Sequence, residues 1–430
     1  MADLKTQAPG WHLVFATFAK IGLLSFGGPA AQIALMHRIL VEERRWLSEA
    51  QYLSALGFCM FLPGPEATQL ATYAGWKQRG VPGGLIAGLL FVLPGALVML
   101  ALAMAYAAFG NVPLVGALFL GIKAAVLVIV IEALLRIARR ALKRQIHWAI
   151  AAFAFIGIFF FALPFPLIIA LAALAGIVTA RPAPAPTPPA AALAPIAATP
   201  LIQTLITIAI WLAIWLLPLL ALQLFCPSIL AQIGWFFSKL AVVTFGGAYS
   251  VLAYMAQEVV VARGWLTAGQ MMDGLGLAET TPGPLILVTE FVAYTAGHGA
   301  GGIWLGIAAA GVALWATFVP CYLWIFAGAP YIEWIGTQRR LSAAFAAITA
   351  AVVGVIFNLS LWFALHVLFS AVALRKFGPL TLWQPDLASI DFRVAAIGLL
   401  SAYLLLGRHL NLLWVLLIAA LCGVAISALG

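Results

Sequence analysis

The sequence predicts an all-α polytopic membrane protein: two homologous halves arranged as an inverted-topology repeat, with broken, re-entrant helices. Three observations predict it. Of 430 residues, 65% are hydrophobic and 8% are charged, whereas a soluble domain carries about 25% charged residues. The stretch 18–65 aligns without gaps to 237–284, with 17 identities in 48 positions. Gly-Gly and Pro-Gly-Pro interrupt the apolar segments at matched places in both halves.

The first observation sets the class. A mean hydropathy of +1.11 leaves no water-compatible surface for a globule. It excludes a secreted disulfide scaffold, a coiled coil and a disordered regulator. The net charge of +9 is too dispersed for a phosphate-tracking groove, so no nucleic-acid partner is expected. Cys59, Cys226, Cys321 and Cys422 are isolated, with no CxxC pair, and the six histidines do not cluster. They read as free core thiols, which argues against a zinc, haem or iron–sulfur site. No metal and no cofactor is expected. Residues 1–10 are short and weakly charged, and the apolar run from Trp11 enters a Gly-Gly-Pro break. That start reads as mature membrane protein rather than a cleavable signal.

The second observation sets the organisation. FAKIGLLSFGG (18–28) lies over FSKLAVVTFGG (237–247), RRWL (44–47) over RGWL (263–266), and LPGP (62–65) over TPGP (281–284). Apolar composition alone would not put Lys20 on Lys239 and Trp46 on Trp265 in the same register. Residues 181–200, RPAPAPTPPAAALAPIAATP, read as an extended Pro-rich linker. The expected division is a first repeat over 1–180, the linker, a topology-inverting helix over 201–225, and a second repeat over 226–430.

Limb lengths set the topology. Segments 11–26, 29–44, 48–62 and 65–79 hold about 15 residues and reach about 22 Å. That is short of the roughly 30 Å hydrocarbon core, so two re-entrant hairpins are predicted. Segments 81–108, 114–135, 302–328 and 341–369 are long enough to cross, while 148–161 with 165–179, and 392–406 with 410–429, form shorter pairs. Each half then returns to its starting side, and the odd helix at 201–225 turns the second half over. Lys5, Arg38, Arg44, Arg45, Lys77, Arg79, Arg136, Arg139, Arg140, Lys143, Arg144 and Arg181 all fall on one side, which predicts a cytoplasmic N-terminus. The second half adds less. Arg339, Arg340 and Arg408 fall inside, and Arg263, Arg375, Lys376 and Arg393 fall outside.

The third observation points to chemistry. Broken backbone at membrane depth is tolerated where it is buried or lines a polar cavity. Gly27-Gly28-Pro29, Gly246-Gly247, Pro63-Gly64-Pro65 and Pro282-Gly283-Pro284 should each end one half-helix and start another. Starting N-termini carry unpaired N–H groups and partial positive charge, which favours anions. Close helix packing and simple kinks are the plainer readings. Lys20 and Lys239, each five residues before Ser25 or Thr244, are candidate countercharges beside hydroxyl donors; snorkelling or a structural ion pair is the alternative. Lys123, inside a predicted crosser, is a weaker pathway candidate. Gln69 and Thr281, with Thr280, could bond oxyanion oxygens. Glu66, Glu279 and Glu290 flank the Pro-Gly-Pro breaks as dipole caps or proton carriers. Trp46 and Trp265 read as interfacial anchors, and Arg136 to Arg144 as a positive-inside stop.

FAKIGLLSFGGPAAQIALMHRILVEERRWLSEAQY (18–52), with FLPGPEATQLATYAGW (61–76), resembles the chromate ion transporter family, and 236–294 looks like that family's second domain. The resemblance implies an inner-membrane transporter that exports chromate, a tetrahedral dianion similar to sulfate, and confers chromate resistance. The family motifs fall on Gly27, Gly28, Pro29, Trp46, Pro63, Gly64, Pro65 and Gln69, then Gly246, Gly247, Trp265, Pro282, Gly283 and Pro284. Glu66 departs from the pattern, since members often carry a small neutral residue there. No nucleotide-binding G-x-x-x-x-G-K-[ST] motif is present, so the expectation is secondary export by alternating access. A passive anion channel of the same fold is the alternative, and a membrane-embedded lipid-phosphate enzyme a remote one. The bilayer and a chromate- or sulfate-like anion are the expected partners, with the oligomeric state left open, a homo-oligomer included.

Overall fold

The computed structural model describes residues 9–180, 201–226, 229–245, 248–332 and 338–429. The expected linker 181–200 and the Gly246-Gly247 break lie outside them.

The chain is helical wherever the apolar runs are, and it breaks where glycine and proline stand. Helix α1 (Trp11–Leu24) stops at Ser25, and α2 (Gly28–His37) restarts with Pro29 in its first turn, where no donor is needed. A π turn (Arg38–Glu43) leads to α3 (Glu49–Phe61), whose N-terminus is held by a Ser48/Gln51 capping box. Helix α4 (Glu66–Phe109) is kinked at Arg79 and Gly80, where Gly80 has a φ of 64°. Then come α5 (Pro113–Ala141), α6 (Gln145–Phe159), α7 (Phe165–Val178) and α8 (Leu201–Phe225).

The later part of the chain runs through the same elements. Helices α9 (Ile229–Val243) and α10 (Ala248–Ala256) precede a π turn (Gln257–Ala262) and α11 (Ala268–Thr280), which has its own Thr267/Gln270 capping box. A 3-10 turn (Leu285–Leu287) opens α12 (Val288–Gly301), followed by α13 (Ile303–Gly328) and α14 (Arg339–Leu368). Both π turns, and α3 with α11, share the 219-residue offset of the sequence repeat at each end. After α14 stands β1 (Val372–Phe377), paired antiparallel with β2 (Leu380–Pro385), then α15 (Phe392–Ala402) and α16 (Leu412–Leu429).

Helices α4, α5, α8, α14, and α13 extended to Tyr331, are long and apolar enough to cross a membrane. The chain is a multi-pass membrane protein. Its outer face carries exposed Leu, Ile, Phe and Trp such as Leu97, Trp148, Ile202 and Trp304, as a lipid-facing surface should. Helix α8 lies at the periphery, against α9 and α13, with Trp215 Nε1 donating to Ser238 Oγ at 3.2 Å.

At the centre, α5 packs on α14. Helices α6 and α7 lie against α14, and α15 and α16 lie against α5, so each short pair packs on the other half's crosser. Small residues permit this closeness. A Cβ added at Gly121 would collide with the Ala419 carbonyl, and one at Gly354 with the Ala151 carbonyl.

At one end of the molecule, Gln78 Nε2 donates to Trp46 O at 3.0 Å and Arg79 Nε to Pro9 O at 2.7 Å. The start of α1, the chain after the first π turn and the kink of α4 therefore gather together.

The all-α expectation omits the β1–β2 hairpin. Its segment is short, turns at Gly378 (φ 60°), and faces outward on most of its residues. It is held from outside its own strands, by Thr381 N donating to Phe160 O at 2.7 Å in the α6–α7 turn.

Candidate functional site

The breaks meet. One small cleft is lined by Pro29 and Gln32 of α2, by Pro65, Glu66 and Ala67 at the start of α4, by Ala248 at the start of α10, and by Pro284, Leu285 and Ile286 ahead of α12. Four half-helix starts, two from each repeat, thus converge on one point. Their first-turn N–H groups lack intrahelical partners and carry the positive end of the dipole. The space at the centre holds about one water molecule.

The breaks also interlock. Gly64 N donates to Thr244 O at 2.8 Å, and Gly283 N donates to Ser25 O at 2.7 Å. The two bonds are repeat-related, donor to donor and acceptor to acceptor. Each Pro-Gly-Pro turn is tied to the first break of the opposite repeat. Glycine is needed here because φ is 113° at Gly64 and 86° at Gly283, a left-handed region that disfavours side chains. Gly27 and Gly28 have similar values, 85° and 77°.

This geometry redistributes the expected roles. The Gly64 and Gly283 N–H groups are committed to the crossed bonds. The Ser25 and Thr244 hydroxyls donate back to Ile21 O and Leu240 O, each at 2.6 Å, so their protons are committed within α1 and α9. Thr280 and Thr281 likewise donate to Leu277 O. Gln69 Nε2 donates to Pro63 O at 2.7 Å and braces the turn from within. Pro63 and Pro282 flank the turns without lining the cleft, while Pro65 and Pro284 line it.

Lys20 and Lys239 do not reach the cleft. Lys20 Nζ lies 3.5 Å from Glu43 Oε2, with both side chains exposed, and Lys239 Nζ sits over the Tyr254 ring at 5.7 Å. The reason is helical phase. The buried stripe of α1 is Val14, Thr17, Phe18 and Ile21, and that of α9 includes the repeat-related Ile233, Phe236, Phe237 and Leu240. Position 20 and its counterpart fall off that stripe, a signal already present in the sequence periodicity. Of the three carboxylates, Glu66 alone lines the cleft, and it makes no hydrogen bond or ion pair with a described residue. Glu279 accepts from Tyr249 OH at 2.8 Å, and Glu290 is buried elsewhere, on α12. Lys123 is paired with Asp273, and Glu132 with Arg136. Trp46 packs near Phe18, and Trp265 near Phe236 and Arg263.

Gln32 was not legible as a site residue. It is 1% exposed, and its Nε2 donates to Gly283 O at 2.5 Å, across the repeats. Its Oε1 has no partner among the described residues, and it lines the cleft. The available signal was position: Gln32 stands three residues after Pro29, one turn into the half-helix, much as Gln69 follows Pro65 by four.

The arrangement offers dipole ends, the unpartnered Gln32 Oε1 and one carboxyl to a small polar guest. Comparison with known proteins fits it. The chromate transporter family model matches residues 12–177 and 231–424. A chromate transport protein of Pseudomonas aeruginosa is 33% identical over 350 residues, 80% of this chain and 78% of that one. A probable chromate transport protein of Synechococcus elongatus is 32% identical over 79% of this chain and 81% of its own length. A chromate transport protein of Cupriavidus metallidurans is 30% identical over 79% of each. No solved structure matches the chain. On the family match and these identities, the chain belongs to the chromate transporter family.

Proposed function

We propose that this chain is a secondary transporter, not an enzyme, that exports a tetrahedral oxyanion, chromate first and sulfate second, across the cytoplasmic membrane. The observation that carries the reading is the convergence of four half-helix starts from both repeats on one interlocked cleft. Units 1–180 and 226–430 act as inverted repeats, joined by the 181–200 linker and the odd helix α8, with the N-terminus cytoplasmic. The gathering of Pro9, Trp46, Gln78 and Arg79 supports limbs that return to their starting side. The repeats rock about the cleft to alternate access.

Countercharge comes from the dipole ends rather than from ammonium groups. Glu66 then has a defined task. Ionised, it would repel a dianion; protonated, it donates a hydrogen bond to an oxyanion oxygen. Binding is therefore linked to a proton at Glu66. Moving two charges through 100 mV contributes about 4.6 kcal/mol outward.

The test is radiolabelled chromate uptake into everted vesicles, with sulfate as competitor and with voltage and pH gradient clamped separately. Saturable, voltage-driven uptake that sulfate inhibits is expected. Uptake no greater than in vesicles lacking the protein would overturn the reading, and unsaturable flux without trans-acceleration would replace the carrier with a channel.

A further inference from the structure

A second polar cluster lies away from the cleft. Lys123 Nζ of α5 is 3.2 Å from Asp273 Oδ1 of α11, with the side chains 27% and 6% exposed. Tyr106 OH of α4 donates to Asp273 Oδ2 at 2.8 Å. The contact joins the crossers of the first repeat to a short limb of the second.

On the same side of α11, Gly269 and Gly276 stand four residues before and three after Asp273. A Cβ at Gly276 would collide with Ile122 Cγ2, and one at Gly269 would lie 3.4 Å from Lys123 Nζ. Small residues let α11 seat on α5, and the ion pair ties it there. Charges this deep are costly and are retained where they specify one arrangement.

The first repeat lacks the device. At the 219-residue offset that runs through α4 and α13, Asp273 corresponds to Ser54 and Tyr106 to Ile325. Gly276 corresponds to Gly57, yet a Cβ at Gly57 would meet nothing within 4 Å. Helix α11 packs along α5 and also meets α14, whereas α3 packs chiefly on α4.

We infer that Lys123, Asp273 and Tyr106 are positioning residues, a latch that holds α11 of the second repeat closed on α5. With no counterpart in the first repeat, the carrier rests closed at the second repeat's end and takes its substrate from the first repeat's end. This rests on the alternating-access reading above, and it gives that cycle a direction at rest.

The test is thiol access. Ala278, 5% exposed on α11, is changed to Cys in a chain also carrying Cys226→Ser and Cys422→Ser. A membrane-impermeant maleimide is applied to right-side-out vesicles. Slow labelling is expected in the otherwise unchanged chain. Lys123→Met and Asp273→Asn should each raise the rate by about fivefold or more. Tyr106→Phe, which keeps both charges, should give a smaller rise. The charge swap Lys123→Asp with Asp273→Lys should restore slow labelling. Unchanged labelling in both single variants would overturn the latch, and so would faster labelling that the swap leaves uncorrected. Chromate efflux from the same vesicles, preloaded with chromate, is read in parallel: its absence from the unsubstituted chain would sink the transport reading while the labelling still decided the latch.

Discussion

The two walls of the cleft share one backbone and differ in their side chains. From the first repeat come Gln32, Glu66 and, bracing the turn, Gln69. At the repeat-related positions the second has Val251, Leu285 and Val288. Glycine turns and crossed bonds are common to both, with φ of 113° at Gly64 and 86° at Gly283. Duplication thus kept what shapes the cleft, while the polar side chains collected on one side. On the proposed reading, a dianion would gain from either wall's amide ends but meet a carboxyl on one wall only.

The largest effect should come from erasing that difference. Glu66→Leu, which copies Leu285 onto the first wall, should weaken chromate uptake by about 10- to 100-fold, as for a lost hydrogen bond to a charged group. Glu66→Gln keeps a donor at every pH and should lose the fall in transport that the unsubstituted chain shows as rising pH ionises Glu66. Initial rates in everted vesicles from pH 5.5 to 8.5 would check both. Equal pH profiles in Glu66→Gln and the unsubstituted chain would remove the proton from the cycle.

Substitution of what the walls share should cost the same on either side. Gly64→Ala and Gly283→Ala each force a side chain into the left-handed region, at about 1–2 kcal/mol. The midpoint of thermal unfolding in detergent should fall in both, to similar extents, and flux by about tenfold. A large loss in one with none in the other would show that the crossed bonds are not equivalent.

Gln32→Val, which copies Val251, removes the amide that reaches the Gly283 carbonyl. A buried carbonyl losing its donor costs about 1–3 kcal/mol, so a fall in flux of about fivefold or more is expected. Val251→Gln should not raise flux, because the first wall already fills the role. The smallest effect belongs to the lysines. Lys20→Met and Lys239→Met should change chromate flux less than about twofold, as exposed pairs contribute little. A larger loss in either would return the amines to the substrate path.

The frame was legible because its signals are local. Gly-Gly and Pro-Gly-Pro cannot continue a helix, so the breaks could be placed, and the matched register of Lys, Trp and Pro-Gly-Pro made the duplication visible. The occupants of the cleft were harder to read. Lys20 stood out as a charge in an apolar limb, but its phase against Thr17, Phe18 and Ile21 decides where it points. Gln32 carries only the weak signal of standing one turn after Pro29, because its partner, 251 residues away, is brought to it by tertiary packing alone. Lys123 and Asp273 are likewise paired only by the tertiary packing of α5 on α11. The β1–β2 hairpin was hidden by its brevity and by reliance on the α6–α7 turn for support.

The most direct measurement is the position of the bound anion itself. Crystals of the protein grown with chromate, measured at the chromium absorption edge, should show an anomalous peak among the starts of α2, α4, α10 and α12, within hydrogen-bonding reach of Glu66 and Gln32. A peak beside Lys20 or Lys239, with the cleft empty, would contradict the assignment of that cleft as the oxyanion site.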